Sequence, residues 1–146
     1  MRRTRWAYCD TSVLVKRYVK EQGSAVAQRL LQQYRFLSSA IAPVEVLSIL
    51  SRRCTLGELS QRDFFAIRSR LNKDRSYWEL VEVGEIVLNQ AEDLAQKTGL
   101  RTLDALHLAS VLTFQAASGL TIPFMTADVR QRKAAESLGL NLIWVG

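Results

Sequence analysis

The junction at residues 5–15 limits the folds open to this chain more than any other stretch. Arg5, Trp6, Ala7, Tyr8 and Cys9 read as a short buried strand. Asp10, Thr11 and Ser12 follow, and an apolar-periodic helix opens at Val13, Leu14 and Val15. A strand that passes through a carboxylate directly into a helix N-terminus fits an open α/β sheet. In such sheets the ligand site lies beyond the carboxyl ends of the strands. Asp10 sits at that edge. Asp is also a favoured N-cap, so capping alone would account for one such residue. The remaining acidic residues decide between the two.

The rest of the chain repeats the alternation. Residues 11–20 read as a helix, broken at Gly23-Ser24, with Ser24 expected to cap the next one. Val26, Leu30, Leu31 and Tyr34 give that helix an apolar face. Residues 36–38 form a second strand. Pro43 then takes a first-turn position, where its missing N–H costs nothing, in a helix running to about Cys54. Ser60 is expected to cap a helix carrying Phe64, Ile67 and Leu71, with Arg62, Arg68 and Arg70 on its other face. A third strand covers residues 78–83. A helix at 85–97 is closed by Gly99, and Thr102 is expected to cap a helix to about Ala117. A fourth strand at 122–126, a helix at 128–138 ending at Gly139, and a fifth strand at 141–145 complete the chain. Strands that alternate with helices imply a mainly parallel five-stranded sheet with helices on both faces. With no internal repeat and no linker, residues 1–146 are expected to form one α/β domain.

Charge and cysteine usage narrow the function. A formal net charge of +6 suggests a polyanionic partner, with nucleic acid the first candidate. Arginines recur at Arg2, Arg3, Arg5, Arg52, Arg53, Arg101, Arg130 and Arg132. The basic N-terminus leads into no signal-type apolar run, because Asp10 interrupts it, and no run approaches membrane-spanning length. A cytoplasmic protein without membrane contact is expected. Cys9 and Cys54 read as small core residues rather than a disulfide pair. A single histidine, His107, excludes a His-rich zinc site.

Carboxylates stand where the pattern is otherwise apolar. The run Leu103-Asp104-Ala105-Leu106-His107-Leu108-Ala109-Ser110-Val111-Leu112 is apolar nearly all round, so its helix should be buried. An ionised carboxylate there is costly unless it is paired or holds a metal. Asp104 also falls in a first helical turn, where the dipole favours negative charge. Asp128 repeats the Asp10 design, following a strand and opening a helix. Glu45 lies just after Pro43, where the same dipole argument applies. Asp10, Glu45, Asp104 and Asp128 thus all stand at strand ends or helix starts that could share one edge of the sheet. Clustered carboxylates raise one another's pKa values, and a divalent cation removes the conflict. Oxygen-only ligation favours Mg²⁺ or Mn²⁺ over zinc. An acidic pocket in a basic surface suits phosphodiester hydrolysis.

At this point a family resemblance enters. Tyr8-Cys9-Asp10-Thr11-Ser12-Val13-Leu14-Val15-Lys16 resembles the opening motif of PIN-domain ribonucleases. Ala42-Pro43-Val44-Glu45-Val46, the segment from Leu100 to Ala109, and Met125-Thr126-Ala127-Asp128 resemble the later motifs in the right order. The closing Ala134-Ala135-Glu136-Ser137-Leu138-Gly139-Leu140 before a strand fits as well. The resemblance covers essentially the whole chain and is nearest to the VapC-type toxins of toxin–antitoxin pairs. It implies a three-layer PIN-like domain with sheet order 3-2-1-4-5 and cleavage of RNA dependent on Mg²⁺ or Mn²⁺. It further implies inhibition by a small cognate VapB-like antitoxin, and homodimerisation. Carried over by motif, Asp10, Asp104 and Asp128 would be metal ligands. Glu45 would bind metal through water or orient the attacking water. Ser12 and Thr126 would contact a carboxylate or bound water, or simply cap a helix. Apart from the resemblance, Arg101, Arg130 and Arg132 are candidates to grip RNA phosphates, although exposed helix arginines are usually just solvated. Many relatives carry a further acidic residue shortly after the last Asp, whereas this chain has Val129, Arg130 and Gln131. That departure implies one ion held tightly and a second only with substrate.

Two rival readings differ in what they require. A receiver-like phosphoacceptor domain needs paired acids near the first strand and a Lys after the last strand, and neither is present. A non-catalytic nucleic-acid-binding PIN-like module would keep the basic face and tolerate loss of the carboxylates. His107, one turn beyond Asp104 among apolar residues, is expected to pack or hydrogen-bond rather than catalyse. Trp6, Trp78 and Trp144 are expected in the core.

Overall fold

Helices and strands alternate along residues 5–146, which the computed structural model describes. Arg2 and Arg3 of the basic set lie outside them. The order is β1 Trp6–Cys9, α1 Thr11–Tyr18, α2 Ser24–Gln33, β2 Arg35–Ser39, α3 Ala42–Thr55 and α4 Gln61–Asp74. A 3-10 turn, Arg75–Tyr77, leads to β3 Glu79–Val81. Then come α5 Glu85–Thr98, α6 Thr102–Ser118, β4 Phe124–Thr126, α7 Val129–Ser137 and β5 Leu142–Trp144. The strands form one sheet in the order β3-β2-β1-β4-β5. Every pairing is parallel. The expected α/β class and strand order are both present.

Side-chain alternation on the strands divides the core into two layers. Ala7, Cys9 and Met125 pack with Val13, Leu14, Leu31, Val46, Leu50 and Leu71, from α1 to α4. Tyr8, Leu37 and Phe124 face the other way, against Val87, Leu94, Leu108, Ala109 and Ala135 of α5, α6 and α7. A sheet buried on both faces needs apolar residues at successive positions, and β1 supplies them. Helix α6 is buried continuously from Ala105 to Val111, as its all-round apolar sequence requires. Cys9 and Cys54 are free thiols, Cys9 buried and Cys54 partly so. Among the described residues no helix is long and apolar enough to cross a membrane.

Several boundaries differ from the sequence reading for physical reasons. The third strand is only Glu79–Val81, because β2 ends opposite Val81 and leaves Glu82 and Val83 without a partner. The fourth begins at Phe124. Pro123 has no N–H to pair, and the Ile122 N–H goes to the Gln115 side chain instead. Ser24 does not cap α2. Gly23 occupies the cap at φ +86°, while the Ser24 hydroxyl accepts from Glu21 N and donates to Val19 O. Nor does Thr102 cap α6; Arg101 stands at the cap position without a side-chain bond. Ser60 caps α4 as expected, accepting from Asp63 N. The three tryptophans are half-buried rather than core. Trp78 precedes β3 and packs on Phe36 at 5.6 Å, while Trp6 and Trp144 lie under Arg35 and Arg132.

Candidate active site

The switch point of this sheet lies between β1 and β4, where the chain leaves β1 for β2 on one side and returns through β4 on the other. Ligands bind beyond the carboxyl ends of strands at such a point. Asp10 follows β1 and is 3% exposed. Its Oδ1 accepts from the Ser12 hydroxyl and its Oδ2 from the Thr126 hydroxyl, both at 2.5 Å. The capping bond from Val13 N is longer, at 3.4 Å. Asp10 therefore caps α1, yet its strongest partners are hydroxyls, one of them from the neighbouring strand. Ser12 also accepts from Ala127 N, and Thr126 accepts from Asp128 N, so the two strand ends are stitched together. Burial pushes the Asp10 carboxyl above its ordinary range, against the nearby His107 and the two hydroxyl donors.

Asp128 caps α7 through Oδ1, which accepts from Arg130 N and Gln131 N. Gln131, 1% exposed, ties the start of α7 to the start of α6. Its Nε2 donates to Asp104 O at 3.1 Å and reaches Asp104 Oδ1 at 3.5 Å. Asp104 is half-buried. Its carboxyl is raised by burial and then by the negative charge of Asp128, with Glu45 adding to it and His107 and Arg101 opposing. Asp104 thus feels the charge of both Asp128 and Glu45.

Glu45, in the first turn of α3, joins through two bonds. Thr11 Oγ1 donates to Glu45 Oε1 at 2.7 Å, and His107 Nε2 stands 2.7 Å from the same oxygen. His107 Nδ1 in turn lies 2.8 Å from the Tyr8 hydroxyl. His107 hydrogen-bonds, as expected, but its partners are polar and lead to the site. The sequence reading did not single out Tyr8, Thr11 or Gln131. Tyr8 and Thr11 both stood inside the quoted opening motif, but there Tyr8 reads like any strand aromatic.

The basic residues separate into two kinds. Arg101 and Arg130 line an open groove of about 440 Å³ together with Lys97 and Lys133, and no acidic side chain lines it. Arg132 lies elsewhere in its bonding: it reaches Glu136 at 3.3 Å and stacks 4.9 Å from the Trp144 ring. On another side of Glu45 an open, mostly apolar groove is lined by Ile41, Val44, Ile49 and Leu103.

Among the described residues no three His, Cys, Asp or Glu side chains form a ready-made metal cage. The donor set still suits a hard cation. It is oxygen only, and Asp104 carries repulsion from Asp128 and Glu45 that a cation would relieve. The buried Oε1 of Gln131, whose amide nitrogen holds Asp104, has no hydrogen-bond partner. Mg²⁺ is commonly held by one or two carboxylates and keeps several waters, so it does not need a closed protein cage.

Parallel sheet, switch-point carboxylates and helices on both faces define a single α/β domain with acidic residues at the carboxyl edge of its sheet. The PIN domain family model matches residues 7–137, and the chain belongs to that family. The sequence matches no curated protein. Solved structures that share the fold include the following three. A toxin–antitoxin complex from Klebsiella pneumoniae aligns with TM-score 0.69 at 15% identity, covering 96% of this chain and 98% of that one. VapBC-5 from Mycobacterium tuberculosis, a member of the VapBC toxin–antitoxin family, aligns with TM-score 0.60 at 17% identity, covering 97% and 100%. FitAcB from Neisseria gonorrhoeae aligns with TM-score 0.59 at 14% identity, covering 94% and 96%.

Proposed function

We propose that this protein is a metal-dependent endoribonuclease, the toxin of a type II toxin–antitoxin pair, which inhibits translation by cutting RNA in the cytoplasm. The observation that carries the reading is the juxtaposition at one edge. Asp104 feels the charge of Asp128 and Glu45, and a groove of four cations starts at Arg101 and Arg130, beside those acids. Asp10, Asp104 and Asp128 would hold Mg²⁺ or Mn²⁺. When bound, the cation supplies Lewis acidity toward the phosphate and lowers the pKa of water. Ser12 and Thr126 fix both oxygens of Asp10, so the carboxylate needs no reorganisation. Glu45, held through Oε1, orients the attacking water with its other oxygen. Lys97, Arg101, Arg130 and Lys133 hold the phosphate backbone, which supplies affinity without sequence choice.

A small VapB-like antitoxin is the proposed partner, and the apolar groove beside Glu45 is where it would bury side chains and cover the site. Homodimerisation is proposed on family grounds. A second reading, a non-catalytic RNA-binding module, is favoured by the capping roles of Asp10 and Asp128. One experiment separates them. The chain is co-expressed with its neighbouring gene, purified, and assayed on RNA with Mn²⁺ and with chelator. Metal-dependent cleavage silenced by the co-purifying protein, and lost in Asp10→Asn, Asp104→Asn and Asp128→Asn, supports the enzyme. RNA binding without cleavage at any metal concentration supports the module.

A further inference from the structure

We propose that Tyr8 and His107 form a buried positioning relay that aims the Glu45 carboxylate. Tyr8 acts by holding the His107 ring through Nδ1, so that the Nε2 proton faces Glu45. The inference rests on the reading of Glu45 as a working carboxylate and deepens it.

Hydrogen-bond accounting leads there. Tyr8 is fully buried on the central strand, its ring stacked on Phe124 with centroids 5.5 Å apart. Its phenol hydroxyl can donate or accept, and the His107 Nδ1 atom stands 2.8 Å from it. A carboxylate only accepts, so with Glu45 on one side of the ring and the phenol on the other the bare Nδ1 accepts from Tyr8 and, in the neutral ring, the proton sits on Nε2. That nitrogen lies 2.7 Å from Glu45 Oε1, against 3.1 Å from Thr11 Oγ1. Nε2–H therefore donates to the carboxylate, and the Thr11 hydroxyl donates to the same oxygen at 2.7 Å. Two donors, one from α1 and one from α6, clamp Oε1. Oε2 takes no hydrogen bond among the described residues.

The opposite tautomer would break this. With the proton on Nδ1, Nε2 would turn a lone pair toward a carboxylate oxygen. His107 is 2% exposed, so water cannot repair that conflict. The Tyr8 hydroxyl thus supports the ring in one position, one side chain removed from the carboxylate it helps to direct.

The test uses the fact that His107 is the only histidine in the chain. In the full-length metal-free protein, ¹⁵N–¹H correlation of the imidazole should show a proton on Nε2 and a bare Nδ1. Tyr8→Phe keeps the stacked ring and removes only the hydroxyl. It should shift the ¹⁵N resonance of the bare Nδ1, which loses its donor, and move the Glu45 carboxylate ¹³C resonance. It should lower kcat on RNA by about tenfold, the lower end for a residue that orients a site group. KM for RNA and the Mn²⁺-induced rise in Tm should stay unchanged. His107→Gln, which returns an amide N–H toward Glu45, should retain more activity than His107→Leu. A proton on Nδ1 in the wild type overturns the relay. So does Tyr8→Phe with both spectra unchanged, or with full kcat. The expected spectra in a wild type that cuts no RNA would support the relay while removing the nuclease reading.

Discussion

Replacing Thr126 with Val keeps the shape of a fully buried side chain and removes only its hydroxyl. That hydroxyl donates to Asp10 Oδ2 at 2.5 Å and accepts from Asp128 N at 3.0 Å. A hydrogen bond to a charged group contributes about 1.5–3 kcal/mol, and a buried N–H left unpaired costs about 1–3 kcal/mol. The Asp128 N–H is only partly buried, so the low end applies to it, and the sum is about 3 kcal/mol. In a chain of this length that corresponds to a Tm lower by roughly 6–12 °C. Thr126→Ser keeps the hydroxyl and loses one buried methyl, at a cost of about 1 kcal/mol. Calorimetric melts at neutral pH in chelator should therefore rank wild type above Ser above Val. Repeating Thr126→Val in an Asp10→Asn background should reduce its cost, because the bond is no longer to a charge. A Val variant melting within about 2 °C of wild type, or above the Ser variant, would refute the claim that Thr126 holds a charged Asp10 across the β1–β4 junction.

Three further outcomes are expected. Asp104→Asn should be inactive yet at least as stable as wild type in chelator, since it relieves repulsion from Asp128 and Glu45. Mn²⁺ at a hundredfold excess over Kd should stabilise wild type by about 2.7 kcal/mol and the variant much less, as read by thermal melts. The pH dependence has a definite sign. The folded carboxyls of Asp10 and Asp104 lie above their ordinary value near 3.8, so between the two values the folded state binds more protons than the unfolded. Stability from these groups is present in acid and falls as pH rises through that window, and Asp10→Asn should flatten the fall in melts of the metal-free protein. Glu21, lowered by Arg53 and Lys16 against burial, acts oppositely below its ordinary value near 4.5, so variants are compared with wild type at each pH. Finally, removing Lys97 and Lys133 together should reduce the slope of log affinity against log salt by about 1.4 on single-stranded RNA. Arg132→Ala should leave it unchanged, because that guanidinium is held by Glu136 and Trp144.

Much of the fold could be read from the sequence because it rests on periodicity. Buried strands such as Trp6–Cys9 and the all-round apolar α6 carry strong signals that tertiary packing only reinforces. Junctions were harder. Ser24 and Thr102 look like caps, but a cap depends on the backbone angle of the residue before the helix, and Gly23 at φ +86° took the position instead. The acidic residues were found because carboxylates at strand ends contradict their surroundings. Their supporting bonds were not, since Tyr8–His107 and Gln131–Asp104 join residues far apart in the chain. Arg130 and Arg132 look alike in sequence, and only the side chains near each separate a groove residue from one already engaged.

Asp10 and Thr126 are separated by 116 positions, and the bond between them joins the first strand to the fourth. On the ribosome the opening motif emerges long before the strand that must lie beside it. A nascent chain carries Asp10, Thr11 and Ser12 with nothing across from them until Thr126 is made. A fragment stopped before Phe124 would keep Asp10, Glu45 and Asp104 and still lack the hydroxyl that holds Asp10 Oδ2. For a chain read as an enzyme that attacks RNA, a partly made domain therefore lacks the support of its first carboxylate.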